Sequence, residues 1–137
     1  MVEGEIISAR LERLKGYLLL LKNVRKLGPA RFREDPFVRG AAERYLHLSI
    51  ECLLDIGNHI IADRNFEKPE TYADIFEVLA AHRVISGKLM REVEGMAAFR
   101  NILVHDYLKI DPEKVFGVIK EKLPAFEALA KVYAGLL

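Results

Sequence analysis

Apolar residues recur three or four positions apart along almost the whole chain, and nowhere do they alternate at period two for long. That spacing is the imprint of helices with one buried stripe. In the first segment the stripe is Ile6, Ile7, Leu11, Leu14, Leu18 and Leu21, extended by Val24. A second runs through Ala42, Leu46, Ile50, Leu53, Leu54, Gly57, Ile60 and Ile61, and a last one through Val115, Phe116, Ile119, Leu123, Phe126, Leu129 and Val132. The expectation is an all-α fold, an up-down bundle of about five helices joined by short loops. With 137 residues, 51% of them hydrophobic, residues 1–137 suffice for one domain with a core that needs no metal or disulfide to hold it.

Punctuation residues set the expected boundaries. Leu27-Gly28-Pro29 stops the first helix, and a loop spans residues 29–36. Pro36 suits a first helical turn and Asp35 its cap. The charged segment 63–70 ends that second helix. Thr71 and Asp74 resemble a capping box for a short third helix through Leu79. Ser86 caps a fourth, which carries Leu89, Met90, Val93, Ala97, Phe99, Ile102 and Leu103 as core candidates. Asp111-Pro112-Glu113 opens the fifth, in which Pro124 is expected to cause a kink or a division.

Several classes are excluded or disfavoured. The single Cys52 allows neither an internal disulfide nor a cysteine zinc site. The longest apolar run, Tyr17 to Leu21, is far too short to span a membrane, and MVEGEIIS lacks the layout of a secretion signal. A cytoplasmic, membrane-free protein is expected. Lys and Arg against Asp and Glu number nine to five in residues 1–40, five to eight in 41–90 and seven to seven in 91–137. That balance is not the profile of a generic nucleic-acid-coating protein. It does allow a local basic patch of Lys22, Arg25, Lys26, Arg31, Arg33 and Arg39, which either solvates a surface or tracks an RNA backbone.

The stretch Phe99-Arg100-Asn101-Ile102-Leu103-Val104-His105-Asp106-Tyr107 sets polar residues of catalytic type among core residues. By spacing alone it reads first as a helix end, where Arg100 and His105 suit the negative end of the dipole. Tyr107 reads equally as a half-buried anchor with a wet tip. The second helix carries a polar ladder, Glu43, His47, Glu51, Asp55 and His59, every fourth residue. It is a solvated face, or a second wall of a cleft in which Asp55 and His59 orient His105 or contact RNA, or a metal site from Glu43, His47, Glu51 and His59. The Glu-x-x-His spacing of di-iron bundles is missing, so no metal is assigned.

RNILVHDY resembles the R-x4-H-x-Y signature of the HepT toxins, a branch of the HEPN superfamily of small helical proteins. Residues 51–61 look like that family's second long helix, and residues 71–77 like the segment after it. The resemblance implies a HEPN-like bundle, and a metal-independent endoribonuclease serving as toxin in a type VII-like toxin–antitoxin pair. It implies an RNA substrate, no cofactor, and an antitoxin that is a minimal nucleotidyltransferase, MntA, attaching AMP to the motif tyrosine. Carried onto this chain, Arg100 and His105 are the catalytic pair, Asn101 a supporting residue and Tyr107 the modified position. A rival reading is a non-catalytic helical partner that binds nucleotide or scaffolds a nucleotidyltransferase.

The chemistry suits those roles. An imidazole with an ordinary pKa of about 6.5 serves as acid or base near neutrality. A guanidinium stays charged and grips two phosphate oxygens. Positions five apart on a straight helix are rotated by roughly 140°, so Arg100 and His105 share no narrow stripe unless the helix ends near His105. One motif also supplies one His. A homodimer with two motifs facing across a cleft would supply two of each.

Overall fold

The computed structural model describes residues 2–137, with side chains from residue 4 onward. Among the described residues it is all helical. Six α-helices follow one another: α1 Val2–Glu34, α2 Pro36–Asp63, α3 Tyr72–Ala81, α4 Gly87–Val93, α5 Met96–His105 and α6 Pro112–Ala134, with a 3-10 turn at Tyr107–Lys109. α1 lies along α2 and α6; α2 also carries α3 and α5, and α4 packs on α6. No helix among the described residues is long and apolar enough to cross a membrane.

The first boundary differs from expectation. Gly28, with φ 86° and ψ 166°, does break the helix, a conformation that favours glycine. The expected loop after it is helical, however, as far as Glu34. Pro29 fits the first turn of a restarted helix, and burial holds that turn in place. Phe32 is fully buried, its ring centroid 5.3 Å from that of Phe116 on α6. Arg33 adds an ion pair to Glu113 at 3.0 Å.

The connection to α2 is Asp35 alone, whose carboxylate accepts from the backbone amides of Phe37 and Val38 at 2.9 and 3.2 Å. Asp74 caps α3, accepting from the Thr71 amide at 3.0 Å, and Ser86 Oγ accepts from the Leu89 amide at 3.1 Å to open α4.

Two further expectations are corrected. The helix beginning at Ser86 divides at Glu94-Gly95 into α4 and α5. Glycine is a poor helix former, and the change of direction sends Leu89 and Val93 to the α6 side while Met96, Ala97 and Phe99 are buried on the α2 side. Conversely, α6 runs undivided through Pro124. Pro124 sits on the exposed face, where the carbonyl it deprives of a partner meets water. Leu123, Phe126 and Leu129 remain buried on the other face.

The centre of the bundle is a three-helix junction. Tyr133 of α6 is fully buried, and its hydroxyl donates to the Leu53 carbonyl of α2 at 3.0 Å. Burial pushes its phenol pKa far above the ordinary value, so it stays a neutral donor. Gly57 makes the approach feasible. A Cβ there would lie 2.8 Å from Ile75 Cγ2 and 2.9 Å from the Tyr133 hydroxyl. This junction fixes α2, and α2 carries the wall on which α5 rests.

Candidate functional site

Arg100 and His105 lie on α5, one at its middle and one as its final residue. The helix ends at His105, with the Asp106 amide donating to the Ile102 carbonyl at 3.1 Å. Phe99 is buried against α2, and its neighbour Arg100 is drawn toward the same wall. Its side chain is only 14% exposed.

Three contacts hold that guanidinium. Arg100 Nε donates to Glu51 of α2, Nη1 donates to Asn101 Oδ1 at 3.1 Å, and the group sits over the Tyr72 ring, 5.2 Å from its centroid. A cation paired with one carboxylate and stacked on one ring is fixed in direction yet retains Nη2, which bonds nothing among the described residues, for a second anion.

His105 is different. It is exposed, and among the described residues its ring bonds to no other side chain. It is the final residue of α5. The chain then enters the 3-10 turn, which displays Tyr107, 70% exposed, and Leu108, 88% exposed. The guanidinium thus meets Glu51 of α2 and Tyr72 of α3, while the imidazole is exposed at the helix end.

The polar ladder of α2 is half-buried along its length, not a freely solvated face. It splits into two networks. Glu51 takes Arg100 and stands 3.6 Å from His47 Nε2, while His47 Nδ1 is 3.2 Å from Arg44 Nη1. Burial is the main force lowering the His47 pKa; Glu51 opposes it, and Arg44 and Arg100 add to it. Further along, Asp55 is bonded by Arg10 Nε of α1 and lies 3.7 Å from His59 Nε2. Asp55 thus pairs with α1, with His59 beside it, and among the described residues neither bonds His105. Glu43 stands apart, its carboxyl pKa raised mainly by burial. Among the described residues no three His, Cys, Asp or Glu side chains converge on a metal position.

Half of the basic stretch is engaged in ion pairs. Lys22 pairs with Glu127 at 2.9 Å, Arg31 with Asp35 at 3.4 Å and Arg33 with Glu113. These surface pairs match three of the six positive charges and leave Arg25, Lys26 and Arg39 without an ion pair among the described residues. Sequence reasoning found Arg100, Asn101, His105 and Tyr107 as a group. It missed Tyr72, Arg10 and the pairing of Glu51 with Arg100; the signals for Glu51 were its place in the five-residue ladder and at the start of the 51–61 stretch.

Comparison with known proteins places the fold and the family. The model of the family described as HepT-like, ribonuclease HepT-like, matches residues 7–133. The tRNA nuclease HepT of Aphanizomenon flos-aquae is 29% identical over 125 residues, covering 91% of this chain and 85% of that protein. The mRNA nuclease HepT of Shewanella oneidensis is 27% identical over 129 residues, covering 94% and 96%. Among solved structures, a tri-AMPylated Shewanella oneidensis HEPN toxin in complex with MNT antitoxin superposes with a TM-score of 0.87 at 26% identity, over 95% of this chain and 97% of that one. A motif placed at the end of α5, a bundle of matching shape and a family match over nearly the full length converge: this chain belongs to the HepT-like ribonuclease family.

Proposed function

We propose that this chain is the toxin of a toxin–antitoxin pair, an endoribonuclease that cleaves cellular RNA, tRNA or mRNA, in the cytoplasm. In this reading it works without a metal, and a cognate minimal nucleotidyltransferase silences it by placing AMP on Tyr107. The observation that carries the reading is the arrangement along α5 and its exit. Arg100 is braced in a fixed direction, His105 is free at the helix end, and Tyr107 stands exposed two residues on.

Arg100 grips the non-bridging oxygens of the scissile phosphate, its pairing with Glu51 setting the angle of approach. An unprotonated His105 takes the 2′-hydroxyl proton as that oxygen attacks phosphorus. A protonated imidazole gives its proton to the departing 5′-oxygen. The products are a 2′,3′-cyclic phosphate and a 5′-hydroxyl end. Since each protomer holds one such imidazole, with its Arg100 turned another way, the reaction site is composite, formed where two copies set their α5 ends across one cleft. Asn101 supports Arg100 through its Oδ1; Asp55 and His59 belong to the wall behind the cleft.

The test is cleavage of purified tRNA and mRNA by the wild-type protein, Arg100→Ala and His105→Ala in excess chelator. Wild type cleaves, and His105→Ala loses roughly a hundredfold or more in rate. RNA bound but never cut by the wild type would favour the non-catalytic partner instead.

A further inference from the structure

Next to Arg100 lies a groove that none of these roles uses. Its volume is about 480 Å³, and it is formed between α2, the entry to α3 and α5. Its floor is small and apolar, with Ala97 and Ala98 of α5 side by side; Asn58 and Asn101 offer carboxamides from α2 and α5, and Tyr72 lines it. Such a combination, an apolar surface with a few placed polar groups and this volume, is that of a small-molecule subsite (about 300–1,000 Å³).

The wall residue is informative. Tyr72 is 49% exposed, though its ring belongs to a residue type that is usually covered over much of its area. The Arg100 guanidinium stacks over the ring and fixes it. A flat aromatic held in place beside an open groove is what an unpaired base stacks on. Asn58 presents a donor and an acceptor, and Asn101, whose Oδ1 accepts from Arg100, presents its amide donor, the means by which carboxamides read base edges. Asn101 is also bonded to Arg100 at 3.1 Å, so a base seated here has its own phosphate beside the Arg100 fork.

We infer that the groove bounded by Tyr72, Asn58, Ala98 and Asn101 is a nucleobase subsite, which receives one unpaired base adjoining the scissile phosphate of a single-stranded RNA segment and so sets the cleavage position. The inference rests on the ribonuclease reading given above. It makes Tyr72 a specificity residue and not solely a brace for Arg100.

The two roles separate experimentally. The cleavage position is first mapped on a short single-stranded RNA, and then KM and kcat are measured for wild type, Tyr72→Ala, Tyr72→Phe and Ala98→Leu. The same set is run on an RNA whose nucleotide flanking the cut lacks its base. On the intact RNA, Tyr72→Ala raises KM about five- to hundredfold, the span that loss of one stacked base implies. Tyr72→Phe keeps the wild-type KM. Ala98→Leu, which fills the groove from an exposed position, also raises KM. On the abasic RNA wild type loses affinity, and the KM differences among the variants vanish. An unchanged wild-type KM on the abasic RNA overturns the subsite, as does an effect of Tyr72→Ala that is equal on both RNAs and confined to kcat. A wild-type protein that cuts neither RNA overturns the ribonuclease reading itself, a result visible before any variant is compared.

Discussion

The contrast between Arg100 and His105 decides what each residue contributes. A guanidinium at 14% exposure, paired and stacked, has little freedom to lose when a phosphate arrives. An exposed imidazole at a helix end is free to exchange protons with solvent and substrate. Tyr107, exposed beside it, is where added negative charge would repel RNA most strongly. Tyr107→Phe is therefore expected to cleave RNA at close to the wild-type rate while escaping neutralisation by the nucleotidyltransferase. Growth inhibition with the antitoxin co-expressed measures this, and full rescue of the variant would remove Tyr107 from regulation. The residues of the motif were legible because they are neighbours in sequence. Their partners were not: Glu51 lies 49 positions from Arg100, and Asp55 lies 45 from Arg10. Charge and spacing name residues able to pair, but only the packing of α2 between α1 and α5 selects which do.

Among the helices, capping and close approach carry the testable energetics. Asp35 closes the only link between α1 and α2, and the Val38 amide, then Phe37 and Arg31, hold its carboxyl pKa below the ordinary 3.8. The folded state thus prefers the charged form. Its contribution is present above the ordinary value and is lost as pH falls through the lowered one. Asp35→Asn keeps a capping oxygen but cannot titrate. Urea unfolding should show wild type ahead of it near neutrality, with the gap closing below about pH 4. Gly57→Ala pushes a methyl into Ile75 and the Tyr133 hydroxyl, and should destabilise by about 1–3 kcal/mol despite alanine's better helix propensity. A stabilised variant in thermal melts would refute that close approach. The caps of α2, α4 and α6 could be read from Asp35, Ser86 and Asp111 because a cap is a local event. The helical turn after Gly28, the division at Gly95 and the continuity through Pro124 could not. Each is settled by which side chains find burial: Phe32 against Phe116, Phe99 against α2, and Leu123 with Phe126 inside the bundle.

At the scale of the whole molecule, the stripes read from the sequence correspond to the core, because α1, α2 and α6 bury the faces their periodicity marks. The α5 end, with His105, Tyr107 and Leu108 exposed, is the face that the proposed pairing of two copies would cover. Sedimentation is expected to show two copies. Mixing wild-type with His105→Ala chains should lower activity more than dilution of the wild-type chains does, since each mixed pair lacks one of the two imidazoles the composite cleft needs; a monomer cutting RNA at the full rate would refute the arrangement. The hydrogen bond from Tyr133 to Leu53 spans 80 positions. During translation, α2 cannot be locked against its last partner until residue 133 has cleared the ribosome. A nascent chain already carrying the entire R-x4-H-x-Y stretch would still lack this last tie between α2 and α6.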